Sequence, residues 1–309
     1  MTTNQPDSST PVGWLGRLLA AQDQPAAALW LVWLVLAGAV YAKPVRSAFT
    51  LLFDPAAGDT VFDQRGLAVT GPAADAARAT LAFQAVWLQF GCAALAVLLA
   101  AGSQLSRAEL GIRRPVRSRY VLGRGWGATA GYVFILGASA AMTGQVLTVL
   151  HLAGRTYPGA GDAAHSAVLT GAFLAGSVAA GVGEEILLFA VPIALARRAG
   201  WPVWVVVGFV TVLRWSIHAY YGWTSLFVVV WIPAGYLLYR AVGSIWPLVA
   251  GHGLFDLLQF GQNAWPRQAE AISYVSLTVA VTGAVLLYVG NGRYWRDRPR
   301  RTPAEQAPA

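Results

Sequence analysis

The sequence predicts an all-α, polytopic membrane protein of about eight transmembrane helices, and three observations carry that prediction. The 309 residues are 56% hydrophobic and only 12% charged, with a mean hydropathy of +0.52. A soluble domain has about 25% charged residues, because charged side chains cover the surface that meets water. The apolar residues are also gathered into stretches near the length of about 20 that a spanning helix needs. Finally, the basic residues alternate between loops as a membrane topology requires. Together these exclude a soluble enzyme, a secreted disulfide scaffold and a disordered chain. Cys92 is the single cysteine, so no intrachain disulfide and no cysteine-based metal site is expected.

The elements follow in order. Residues 1–26 are rich in Pro, Gln, Ser and Ala and read as a disordered cytoplasmic N-terminus. Ala37-Gly38-Ala39 only faintly resembles a signal-peptidase site, and the long polar lead argues for an uncleaved first span. Spans are expected at about 27–42, 80–102 and 126–152, forming an N-terminal unit over 27–165. Four more, at about 167–196, 202–220, 223–242 and 245–262, fill 166–265, the seventh being short and carrying two ionisable residues. An eighth, at 270–290, occupies 266–292, and 293–309 is a basic cytoplasmic tail. With this arrangement fifteen basic residues fall on one side and six on the other. The positive-inside rule then places both termini in the cytoplasm of a cell (plasma) membrane protein. The net charge of +8 is accounted for by topology and anionic lipid headgroups, and a nucleic-acid partner is not expected.

Six ionisable residues remain at membrane depth: Glu184 and Glu185 in span four, Arg214 and His218 in span five, His252 and Asp256 in span seven. Each costs about 2.5–3.5 kcal/mol at a helix centre on insertion scales, so such residues face the bundle interior and mark function. Arg214 and His218 are four apart, as are His252 and Asp256, so each pair shares a helical face. Glu184 and Glu185 are about 100° apart around their helix, which points one at the chemistry and the other at a structural partner. The small residues Ala179-Ala180-Gly181-Val182-Gly183 let a neighbouring helix approach at that level. Carboxylates and imidazoles withdrawn from bulk water suit the activation of an attacking water and the stabilisation of an oxyanion. They are also ordinary zinc ligands, and proton relay in a transporter is the competing use. Tyr220, Tyr221 and Trp223 read as an interfacial aromatic belt, and Trp30 and Trp33 as lipid-facing or interfacial packing.

Gly183-Glu184-Glu185, then Arg214-x-x-x-His218, then His252-x-x-x-Asp256, on successive apolar helices, resemble the CPBP family. These are the CAAX protease and bacteriocin-processing intramembrane peptidases, also called Abi or Rce1-like. Trp246-Pro247 and Leu110-Gly111-Ile112-Arg113-Arg114 resemble members as well. The resemblance covers roughly 165–265. It implies a catalytic cavity in the helix bundle and an intramembrane endopeptidase that hydrolyses a peptide bond in a membrane-associated peptide or protein. Carried over, Glu184 is the base that activates water, helped by His218. His252 and Asp256 form the oxyanion side, and Glu185 orients the site. The type is glutamic or, as a metalloprotease, metallo-endopeptidase, with Glu184, His218 and His252 as the zinc-ligand set. The alternatives are a non-catalytic immunity or regulatory protein on the same scaffold and a proton-coupled transporter.

Two positions depart from the family pattern. Phe189 stands where an arginine is usual, and Arg214 where a phenylalanine is. The two side chains have in effect exchanged helices, so Arg214 is expected to reach across and form a structural ion pair with Glu185. Asp256 replaces an asparagine found in many members, and an ionised aspartate cannot donate to an oxyanion. It must therefore be protonated, orient His252 or bind a metal.

Overall fold

The computed structural model describes residues 24–53, 72–102, 109–112, 125–152, 167–265 and 267–296. Most of both expected tails and the arginines of the second loop lie outside these residues. Among those described there are no strands, and each expected span falls on helix, the fourth on two α-helices joined by a π turn. The helices are α1 (Gln24–Phe53), α2 (Pro72–Gly102), α3 (Gly125–Val149) and α4 (Ala167–Glu185). Helix α4 runs through a π-helical turn, Ile186–Ala190, into α5 (Val191–Arg198). The rest are α6 (Val203–His218), a 3₁₀ stretch (Ala219–Leu226), α7 (Phe227–Val242), α8 (Trp246–Ala264) and α9 (Ala269–Arg296).

Among the described residues, six segments are long and apolar enough to cross a membrane by length and composition, and the other two expected spans fall on α6 and α8. The six are Ala28–Thr50, Asp75–Ala101, Gly125–Val149, Thr170–Arg198, Tyr221–Val242 and Ala269–Val289. Helix α6 is apolar but has 16 residues, about 24 Å at 1.5 Å per residue, less than a hydrocarbon core of about 30 Å. Helix α8 has the length but carries His252, Asp256, Gln259, Gln262 and Asn263, too many polar groups for a lipid-facing span. The ionisable groups of both, Arg214, His218, His252 and Asp256, meet other protein groups, and the molecule is a multi-pass membrane protein. Helix α1 also outruns its expected end, continuing past Lys43, Pro44 and Arg46 to Phe53. A helix needs apolar side chains only where it meets lipid, so the apolar count ended before the helix did.

Helix α4 is the central strut, packing on α2 and α8, while α3 packs on α8, α7 and α9. Its small face does what its composition predicts. A Cβ added at Gly181 would stand 2.6 Å from the Val249 carbonyl oxygen and 2.9 Å from Gly253 N. The α4 and α8 backbones therefore touch, and no larger side chain fits between them. The segment 109–112 folds back on the α7–α8 corner. Leu110 is buried, and the Gly111 carbonyl accepts the Ile245 N–H at 3.0 Å just ahead of Trp246-Pro247.

The π turn has a local cause. Pro192 has no N–H and its ring crowds the carbonyl four residues back, so a regular ladder cannot continue through it. The Val191 N–H bonds instead to the Ile186 carbonyl, five residues back. That leaves the Leu187 carbonyl without its usual donor, Val191, and Pro192 has none to offer. Trp33 on α1 supplies one: its Nε1–H donates to Leu187 O at 2.6 Å. Trp33 is 5% exposed, so it belongs to the core and not to the lipid face expected of it.

Candidate functional site

The π turn begins directly after Glu185, and the ionisable residues of α4, α6 and α8 converge there. Arg214, wholly buried on α6, divides its guanidinium between two acids. Its Nη2 donates to Glu185 Oε1 at 2.9 Å, and Nη1 stands 2.8 Å from Glu184 Oε2. The latter contact is an ion pair lying off the N–H direction, so neither atom completes a hydrogen bond through it. Adjacent glutamates were expected to diverge, but a planar fork with separated nitrogens lets both reach one group. They differ in exposure: the Glu185 side chain is fully buried and that of Glu184 retains 13%.

Glu185 Oε1 is a hub. Besides Arg214 it receives the Tyr132 hydroxyl at 3.1 Å and lies 2.8 Å from His252 Nδ1. Arg214 Nη2 is also 3.4 Å from His252 Nδ1, but the shorter carboxylate contact claims that nitrogen's proton. On the far side of the ring, His252 Nε2 is 3.5 Å from Asp256 Oδ2, whose side chain is 32% exposed. One imidazole thus sits between a buried acid and a partly exposed one. Only the doubly protonated ring donates to both.

His218 is held differently. Its Nδ1 is 2.8 Å from the Arg214 carbonyl, an acceptor, so Nδ1 carries the proton and the neutral ring keeps its lone pair on Nε2. The ring stacks on Tyr221 at 6.3 Å and meets Phe227 and Trp231 edge-on at 5.6 and 5.8 Å. Tyr221 therefore walls the site, while Trp223 is exposed. Glu184 lies within the electrostatic reach of both His252 and His218.

The structure thus joins Glu184, Glu185, Arg214, His252 and Asp256 in one run of contacts, with His218 attached through the Arg214 carbonyl. Phe189 is wholly buried on the α5 side, edge-on to Tyr239 at 5.8 Å. Among the described residues, no three His, Cys, Asp or Glu side chains come together in a way that could hold a metal ion. In the set Glu184, His218 and His252, a guanidinium already neutralises Glu184, and the three side chains do not gather as a ligand set, so the arrangement does not fit a bound zinc.

Two residues of the site escaped sequence reasoning. Tyr132, buried on α3, donates to Glu185, and Trp231 on α7 donates its Nε1–H to the Tyr132 oxygen at 2.8 Å. The Trp231 ring also lies under the Arg214 guanidinium, 4.4 Å from its centroid, and edge-on to His252 at 5.3 Å. The available signal was position: both aromatics fall within their spans, away from the interfaces where Tyr and Trp concentrate. Glycines make room for them, since a Cβ at Gly235 would come within 2.9 Å of the Tyr132 ring, and one at Gly251 within 3.0 Å of its Cβ.

Comparison with known families gives one match: residues 166–258 fit the family described as type II CAAX prenyl endopeptidase Rce1-like. No curated protein and no solved structure matches the chain. The matched segment contains all six ionisable residues that the helices bring together, and the family is one of endopeptidases. Residues 166–258 of this multi-pass membrane protein thus match the Rce1-like family, described as type II CAAX prenyl endopeptidases.

Proposed function

We propose that the protein is a glutamic-type intramembrane endopeptidase that hydrolyses a peptide bond in a membrane-associated peptide or protein. The observation that carries this reading is the division of labour between the two glutamates. Glu185 is fully buried under three contacts on one oxygen and is spent on holding the site together. Glu184 keeps some exposure and a single cationic partner, which leaves it able to take a proton from water.

The chemistry runs through the chain's own groups. Water enters beside Glu184, which removes a proton as the oxygen attacks the scissile carbonyl, with His218 Nε2 steadying the second hydrogen. The developing oxyanion is met by His252 Nε2–H. Its 3.5 Å separation from Asp256 is long enough to yield to a substrate oxygen, while the Asp256 carboxylate still supports positive charge on the ring. Glu184 then returns its proton to the leaving amine. Arg214 fixes both glutamates, and Tyr132 with Trp231 fixes Glu185. The same reading places the termini in the cytoplasm and the protein in the plasma membrane, with lipid as its surrounding partner.

The test is purified protein in liposomes presented with an internally quenched library of membrane-anchored peptides. Wild type should cleave, and Glu184→Gln should lose at least about a hundredfold in rate, the usual scale for a general base. The variant should stay folded, because Arg214 retains Glu185. Equal cleavage by both proteins refutes the assignment, as does a pH-gradient-driven flux without any cleavage.

A further inference from the structure

A second group of buried polar atoms lies beside the acidic pair, on helices outside the matched domain. Tyr41 on α1 is 6% exposed, and Gln89 on α2 is half-buried. Both meet α4 at Gly183, the residue before Glu184. A Cβ there would stand 2.9 Å from the Tyr41 hydroxyl oxygen and 3.3 Å from Gln89 Cβ. Glycine is required at 183 for these two side chains to lie against the α4 backbone.

Among the described residues, Tyr41 Oη and Gln89 Oε1 are buried atoms without a hydrogen-bond partner, and Glu184 Oε2 is met by the Arg214 ion pair without completing a hydrogen bond. Leaving one such atom unmet costs about 1–3 kcal/mol, and native interiors rarely leave several in one place. Phenylalanine and leucine would fill the same volumes without that cost. The hydroxyl also lies in the field of Glu184, Arg214 and Glu185, so it belongs electrostatically to the site. A phenol offers a donor, and a carboxamide offers an acceptor with a donor behind it. That is the complement of a peptide group, whose carbonyl accepts and whose N–H donates.

We propose that Tyr41 and Gln89 form a main-chain subsite that holds the substrate's backbone beside Glu184. Tyr41 O–H donates to a substrate carbonyl, and Gln89 Oε1 accepts a substrate N–H. The proposal rests on the endopeptidase reading and extends it: two helices outside residues 166–258 contribute to binding. Recognition there falls on the backbone, so it is indifferent to side-chain sequence. A substrate must enter extended, with unpaired main-chain groups, since a helical segment has none to give.

The test measures binding apart from turnover. The probe is a fluorescent farnesylated peptide ending in a CAAX sequence, bound to the Glu184→Gln protein in liposomes. Tyr41→Phe and Gln89→Leu in that background should each weaken binding about fivefold, the worth of one neutral hydrogen bond of about 1 kcal/mol. In the active protein the loss should fall on KM and not on kcat. Probes with a single backbone ester, placed at each position in turn, separate direct contact from a structural effect. One ester should weaken binding to the Gln89 protein and have no such effect on Gln89→Leu. Unchanged affinity in both variants, an ester penalty that is the same with and without Gln89, or no probe binding at all overturns the subsite. Binding without turnover by the wild type overturns the endopeptidase reading alone.

Discussion

Replacing Arg214 should be the most damaging single change at the site, and the structure sets its size. In Arg214→Met the side chain keeps its approximate volume, but Glu184 and Glu185 lose the cation that stands 2.8 and 2.9 Å from them. Removing one partner of a buried pair costs about 3–5 kcal/mol, because the charge left behind is uncompensated. Loss of the guanidinium from the Trp231 face adds about 2 kcal/mol. Against a total stability of about 5–15 kcal/mol, the variant should be near unfolding. Arg214→Lys keeps the charge but not the fork, so it serves one glutamate at a time and should cost about 1.5–3 kcal/mol, the worth of one charged hydrogen bond. Thermal unfolding in detergent, followed by tryptophan fluorescence, should rank wild type above Lys above Met. At about 2–4 °C per kcal/mol, the Met variant should melt at least about 10 °C lower. Because Phe189 occupies the position where the resemblance leads one to expect an arginine, Phe189→Arg combined with Arg214→Phe should recover part of what Arg214→Phe loses. A Met variant as stable as wild type, or a double variant no better than Arg214→Phe, refutes the reasoning.

Two further outcomes follow from single contacts. Trp33→Phe removes the indole donor to the Leu187 carbonyl and should lower stability by about 1–3 kcal/mol, measured by the same thermal unfolding; an unchanged melting point would show that the π turn needs no support from α1. Asp256→Asn keeps the shape beside His252 and removes the charge, so it should lower kcat in the liposome cleavage assay while the protein stays folded. Full activity would mean that Asp256 neither charges nor orients the imidazole.

What could be read in the sequence was whatever composition and spacing determine. Scarce charges named the membrane, and the four-residue spacings of Arg214/His218 and His252/Asp256 put the right side chains on the right faces. The exchange of Phe189 and Arg214 already implied an ion pair crossing from α6 to α4. What could not be read depends on contacts between distant helices. Tyr132 and Trp231 look like packing until Glu185 and Arg214 are placed against them, because aromatic residues in an apolar helix have no fixed meaning without a partner. The π turn follows from Pro192 only once the helix is known to continue through it. Helix α6 is shorter than its apolar stretch because the α-helix gives way to a 3₁₀ turn after His218, a change that hydropathy does not register.

The pairing of Arg214 with both glutamates also bears on how the chain is made. Residues emerge in order, so α4 and its two carboxylates leave the ribosome before the arginine does. Each acid alone is penalised on insertion, and so is an arginine on a helix of only 16 residues. Joined, they cancel. The short connection between α5 and α6, Ala199 to Pro202, keeps the cation within reach of the acids as soon as it appears. The two limbs are therefore built to enter the membrane as one hairpin, and assembly of the acidic site becomes a condition of insertion.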